Sequence, residues 1–364
     1  MMQPKNRLRE LDFLRGIAII LVIFRHQLLF DFLKTMGWIG VDLFFVLSGF
    51  LVSGLLFKEY QKFGSINPKL FLIRRGFKIY PIYYLTLLGY MVPRILMHKL
   101  DLEKVFYDLV FIQNYVLGWG YLYNPSWSLA VEEHFYFGLA LLLWLIFNKK
   151  LLAFDMKPTG VSNFEKLLIF SLILVLGLRF ASNIYFPEDF VRQVTMTHLR
   201  IDSLLFGVLI AYWYNFKQEK LIVLYQSHQS KLLVLAFLML AFTVAFDDIL
   251  HAFFVKTIGF SLLYLSFGIL LIHFLVNKNV NHQINSLFST PIVNFVSKIG
   301  FCSYSIYVIH SFIITCVDIL QIKNTFLSFA IVFSLSILSG FVMTFVIEKF
   351  FLNYRDKYFP SRAL

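Results

Sequence analysis

The 364-residue chain is 59% hydrophobic and 19% aromatic, and only 15% of its residues are charged. A soluble domain carries about a quarter of its residues as charges, so this composition excludes one and makes lipid the solvent for most of the chain. The net charge of +12 does not read as nucleic-acid binding, because the basic residues fall in short runs between apolar stretches, where membrane lipid headgroups are the partner.

In chain order, apolar runs able to cross a bilayer lie at roughly 11–30, 38–57, 79–97, 129–147, 167–184, 199–214, 232–246, 257–275, 302–320 and 326–347. They predict an all-α integral membrane bundle of about ten transmembrane helices. The first run reads as a span and not a cleaved leader, since Arg15, Arg25 and His26 interrupt it and no small-residue cleavage site follows. Between the third and fourth runs, Glu103, Lys104, Asp108, Gln113 and Asn114 interrupt the stretch 102–117, which predicts a helix at the membrane surface. With the N-terminus inside, inward segments hold roughly three times as many Lys and Arg as outward ones, so both termini are expected in the cytoplasm. Lys5, Arg7, Arg9, Lys149, Lys150 and Lys157 are among those inward charges. Cys302 and Cys316 fall in one apolar run, about 21 Å apart along a helix and too far for a disulfide. No linker or low-complexity tract divides the chain. A single membrane domain over 1–364 without an appended soluble domain is expected.

An ionisable side chain at membrane depth costs roughly 2.5–3.5 kcal/mol to insert, so such groups mark function. Arg15 and His26 are eleven residues apart, about 20° around the helix axis and about 16 Å along it. At that distance their coupling is about 1 kcal/mol, so they suit contacts to two parts of one long ligand. Depth puts His26, Asp42, Glu132, Glu133, Arg200 and Asp202 in one outer layer. Arg74, Arg75 and Lys78 lie at the inner mouth of the third span, Arg15 in the inner half of the first, and His310 near mid-membrane. A basic inner mouth suits a phosphorylated donor, and outer histidine with carboxylates suits removal of a hydroxyl proton. Asp42 and Asp202 also read as partners of arginines such as Arg200, fastening helices together. No cluster has metal-ligand spacing, so no metal is expected.

The stretches LRELDFLRGIAIILVIFRHQLLF, GWIGVDLFFVLSGFLVSGLL, FLIRRGFKIYPIYYL, NPSWSLAVEEHFYF, HLRIDSLLFGVLIA and CSYSIYVIHSF, in that order, resemble the bacterial membrane acyltransferases called the acyltransferase 3 family. The resemblance implies acetyl transfer from coenzyme A to surface glycans, lipids or antibiotics. It implies that Arg15 and His26 are the family's essential pair, with His26 the base, and that Arg75 and Lys78 stand where the family has two arginines. Lys78 lacks the guanidinium fork, so Arg74 and Arg75 are the stronger candidates for the donor phosphates.

The resulting expectation is a multi-pass plasma-membrane enzyme. Acetyl-CoA, or another acyl-CoA, docks on Arg74, Arg75 and Lys78 and reaches past Arg15. His26, oriented by Glu132 or Glu133, activates a hydroxyl of a glycan or lipid-linked sugar. An acyl-histidine relay would use the same residues. Some family members carry a further soluble domain; without one, transfer is completed in the membrane or by a separate partner. Two other classes stand beside this reading: a transporter or flippase of glycan precursors, with a midplane site and broken helices, and a non-catalytic membrane partner.

Overall fold

The computed structural model describes residues 8–156, 160–246 and 248–363. Lys5, Arg7 and Lys157, counted above as inward charges, lie outside the described residues. Every regular element among those described is helical.

The first helix, α1 (Arg9–His26), has Glu10 and Asp12 in its first turn and Arg25 and His26 in its last, which complements its dipole. Helix α2 (Ile39–Phe63) stops where Gly64 takes φ +65° and closes back on Tyr60. Helix α3 (Pro68–Leu96) starts with Asn67 capping the Leu70 N–H at 3.0 Å and proline in the first turn. It begins eleven residues before the predicted run, so Arg74, Arg75 and Lys78 lie on its first three turns. The surface stretch forms only two short helices, Leu102–Leu109 and Gln113–Val116. Their polar residues anchor them: the Gln113 side chain donates to Ser126, and that of Asn114 to Thr195 and Thr197.

Then follow α4 (Ser126–Phe147), α5 (Asn163–Tyr185) with a Ser162/Glu165 capping box, α6 (Thr197–Phe216), α7 (Gln218–Leu240) and α8 (Phe260–Val276). The last part holds α9 (Thr290–Phe301), α10 (Ser303–Asp318), α11 (Thr325–Val342) and α12 (Lys349–Tyr358), the last two joined through a π-helical turn at Met343–Glu348. Helices α9 and α10 meet at 80°. Cys302 occupies that break and not the helix of Cys316, and no disulfide joins the two.

Among the described residues seven helical stretches are long and apolar enough to cross a membrane, and the bent pair makes an eighth. Helix α1 carries five charges in 18 residues, and α3 is diluted by charges, tyrosines and two prolines. The ten of the hydropathy pattern is reached only if α1 and α3 also cross.

One apolar core joins α2, α4, α6 and α8 around Phe45, Leu143, Leu204 and Leu263; another joins α1, α3 and α10 around Ile23, Ile82 and Ile306. Helix α1 lies between them and is held by backbone contact. A Cβ on Gly300 of α9 would stand 1.7 Å from the Asp12 carbonyl, and one on Gly16 would stand 2.2 Å from that of Val296. Gly49 and Gly207 bring α2 and α6 together in the same way, with clearances of 2.0 and 2.3 Å to the facing carbonyls.

Gly300→Ala and Gly49→Ala are therefore expected to cost about 1–3 kcal/mol by overpacking, lowering the thermal midpoint of detergent-solubilised protein by several degrees. Gly177→Ala, whose Cβ meets nothing within 4 Å, should leave the midpoint unchanged or raise it.

Candidate active site

Helix α1 connects two cavities. A basic cavity of about 110 Å³ is lined by Arg15, Arg75, Lys78, Ser48, Glu132 and Tyr304 among others. A second, of about 320 Å³, is lined by His26, Arg25, Asp42, Arg200 and three tryptophans, Trp38, Trp119 and Trp127. The helical period puts Arg15 and His26 on one face, and the structure places one in each cavity.

In the basic cavity, Arg75 lies over Tyr136 at 5.5 Å and Phe71 at 5.8 Å. Among the described residues no carboxylate forms an ion pair with it, so its fork is available to an anion. Lys78 faces the same space and pairs with Glu348, which the π-helical turn delivers. Arg74 departs from expectation: it turns to the C-terminal segment, pairing with Asp356 at 3.0 Å and donating to the Phe359 carbonyl. It does not line the cavity, whereas Lys78 does. One residue of helix rotates a side chain about 100°, which is enough to separate Arg74 from Arg75.

Glu132 also departs. It lines the basic cavity with Arg15 and accepts from the Tyr136 hydroxyl at 2.9 Å; Tyr136 in turn bonds Ser48 at 2.8 Å. Glu133 accepts from Tyr80 at 2.9 Å. Among the described residues no hydrogen bond joins either carboxylate to His26. Helix α4 starts at Ser126, and the rise to Glu132 is about 9 Å, which carries that side chain below the outer layer.

The neighbour of His26 is His310. Their ring centroids are 5.2 Å apart, with His26 exposed to its cavity and His310 fully buried. His310 Nδ1 lies 2.6 Å from the Tyr307 carbonyl, an acceptor, so that nitrogen carries the proton. Nothing in the sequence joins these two histidines; only the 80° break, which turns α10 toward α1, does so.

One buried ion pair lines the second cavity, and another lies beside it on α5 and α6. Arg200 meets Asp42 at 2.7 Å with its guanidinium 3.7 Å from the Phe260 ring, and Arg179 meets Asp202 at 2.7 Å. Arg179, fully buried, has no place in the sequence reading; as a charge deep in an apolar run it carried the signal. Arg25 lines the cavity and donates to the Lys34 carbonyl at 3.2 Å. The loop bearing Trp119 and Asn124 is tied down by Asp108, which accepts from the N–H groups of Tyr121 at 3.1 Å and Leu122 at 2.7 Å. Burial pushes the Asp108 carboxyl up to about 6 against the pull of those donors. No group of three or more His, Cys, Asp or Glu converges as a metal site among the described residues.

A family model described as an acyltransferase domain matches residues 8–345. The chain belongs to the acyltransferase domain family. A Staphylococcus aureus protein named by inference as an O-acetyltransferase is 30% identical over 84% of this chain and 50% of its own length. The peptidoglycan O-acetyltransferase OatA of Listeria monocytogenes is 31% identical over 57% of this chain and 34% of its own. The acyltransferase chain thus spans about half the length of the first of these relatives. No solved structure matches it.

Asp42→Asn leaves Arg200 charged and buried without its counterion, and should cost about 3–5 kcal/mol, read as loss of monodisperse protein on size exclusion. The Asp108 carboxyl holds its proton to higher pH in the folded than in the unfolded chain. Its contribution is therefore full below the ordinary pKa of 3.8 and lost as pH rises through about 6. Thermal midpoints measured across about pH 3 to 8 should show that decline, and Asp108→Asn should flatten it.

Proposed function

We propose that this chain is the membrane part of an O-acetyltransferase, a multi-pass protein of the plasma membrane with α1 and α3 among its spans and its N-terminus inside. Acetyl-CoA enters the basic cavity from the cytoplasm, and a glycan or lipid-linked sugar enters the histidine cavity from the other side. One observation carries the reading: a single helix presents Arg15 to a basic cavity and His26 to an adjoining one.

Arg75 and Lys78 bind donor phosphates, the arginine by its fork and the lysine as a point charge. The pantetheine arm follows α1 from Arg15 toward His26. His26 takes the proton of the acceptor hydroxyl, the oxygen attacks the thioester carbonyl, the C–S bond breaks, and the proton passes to the thiolate as coenzyme A leaves. His310 packs on the imidazole and fixes its position.

A sugar suits the second cavity. Three of the chain's five tryptophans line it. Trp38 is 6% exposed, so it faces inward and not to a lipid interface. Trp38 Nε1, Asp42 Oδ2 and Arg200 Nε are buried without hydrogen-bond partners, a mix of donors and acceptor that suits a polyol between aromatic walls. The peptidoglycan acceptor in the name of OatA supports a glycan. A flippase would share the broken helix, but would move its substrate without acetylating it.

Membranes incubated with radiolabelled acetyl-CoA and cell-wall glycan should label the glycan, and His26→Ala should lower the rate about 100-fold or more while the protein still inserts. Arg75→Ala should raise KM for acetyl-CoA. Trp119→Ala should raise the acceptor KM about tenfold, equivalent to one lost aromatic contact. Labelling that survives His26→Ala overturns the assignment.

A further inference from the structure

Two side chains, Val41 and Tyr307, line both cavities. The Tyr307 hydroxyl bonds one residue of each wall: Ser128 of the basic cavity, with the oxygens 2.6 Å apart, and the carbonyl of Pro125 of the histidine cavity, 3.1 Å away. Its backbone is held as firmly, since its carbonyl accepts from the Tyr123 hydroxyl and from His310 Nδ1. Phe44 meets the ring edge-on at 6.3 Å. The phenol is therefore a pinned wall between the two cavities, and its hydroxyl is the latch.

We infer that Tyr307 determines whether the donor thioester meets a hydroxyl or water. The inference rests on the acetyl-transfer reading for its chemical consequence, but the partition itself does not. Transfer breaks the same bond as hydrolysis. In hydrolysis a water oxygen attacks the thioester carbonyl, the C–S bond breaks, one water proton goes to the thiolate, and acetic acid is released with coenzyme A. Water is small and abundant on the acceptor side, so a donor left open to that cavity is lost before a sugar arrives. The latched ring keeps the basic cavity closed. It swings aside when the pantetheine arm and the acceptor fill both spaces, because the bonds to Ser128 and Pro125 are neutral and exchangeable.

The wall is tested apart from the chemistry. Ser48, which lines the basic cavity alone, is replaced by cysteine in a Cys316→Ser background, and full-length protein is placed in vesicles of each orientation. A membrane-impermeant sulfonated methanethiosulfonate is applied from the face of His26. With Tyr307 present the Ser48→Cys thiol should react slowly from that face. Tyr307→Ala should speed the reaction at least tenfold, and so should Val41→Ala, which opens the other half of the wall without removing an anchored core ring. Tyr307→Phe, which keeps the ring and loses the latch, should fall between. Fast reaction with Tyr307 in place, or no acceleration in either alanine variant, overturns the partition. In parallel, coenzyme A release without acceptor should rise relative to acetyl transfer in the alanine variants. A protein that shows the labelling pattern but turns over no acetyl-CoA would keep the wall and discard the acetyltransferase reading.

Discussion

The arrangement depends on backbone contact between α1 and α9. Gly300 allows the carbonyl of Asp12 to sit where any side chain would collide, and Gly16 repeats the fit toward Val296. In lipid, apolar side chains gain little by leaving one hydrocarbon for another, so close backbone approach is what holds helices together. Because α1 is clamped at one end and packed by Gly40 against Ala18 in the middle, its two polar ends keep a fixed separation. A rigid rod of known pitch thus sets the distance between Arg15 and His26.

Around that rod the buried charges are arranged so that none stands in lipid alone. Asp42 with Arg200 and Asp202 with Arg179 tie α2, α5 and α6 together behind the histidine cavity. Each such pair gains less than its geometry suggests, since both ions lose water. What the pairs provide is register: a helix that slides by one turn leaves two charges unmatched. Asp42 and Arg200, which keep Oδ2 and Nε without hydrogen-bond partners, also line the histidine cavity, so the scaffold and the cavity wall share residues.

Much of this was legible in sequence. Composition gave the solvent, hydropathy gave the helices, and the eleven-residue interval put Arg15 and His26 on one face. Local chemistry was also readable, as in the capping box at Ser162 and Glu165. What the sequence misplaced depends on where a helix begins and what lies across from it. Glu132 was assigned to the outer layer with His26, whereas the structure sets it in the basic cavity with Arg15 and bonds it to Tyr136. Arg74 looked the better phosphate ligand than Lys78 on side-chain chemistry alone, yet the C-terminal segment claims it through Asp356 and Phe359. Long-range pairing of that kind leaves no periodic trace.

His310 shows the same limit in another form. Read alone, a histidine in a membrane run is an interhelical hydrogen-bonding group, whereas His310 bonds within its own helix, to the Tyr307 carbonyl. Beyond that bond, the turn of 80° at Cys302 lets α10 pack against α1 and α3, which sets His310 beside His26. A broken helix is the feature expected of a transporter, where unwound backbone coordinates the cargo. At the break itself the Cys302 N–H returns to the carbonyls of Lys298 and Ile299, and further along α10 the Tyr307 carbonyl takes two side-chain donors. The break thereby brings Tyr307 to the wall of both cavities and His310 beside the ring of His26, so that α10 supplies side chains to the site and not only a turn in the chain.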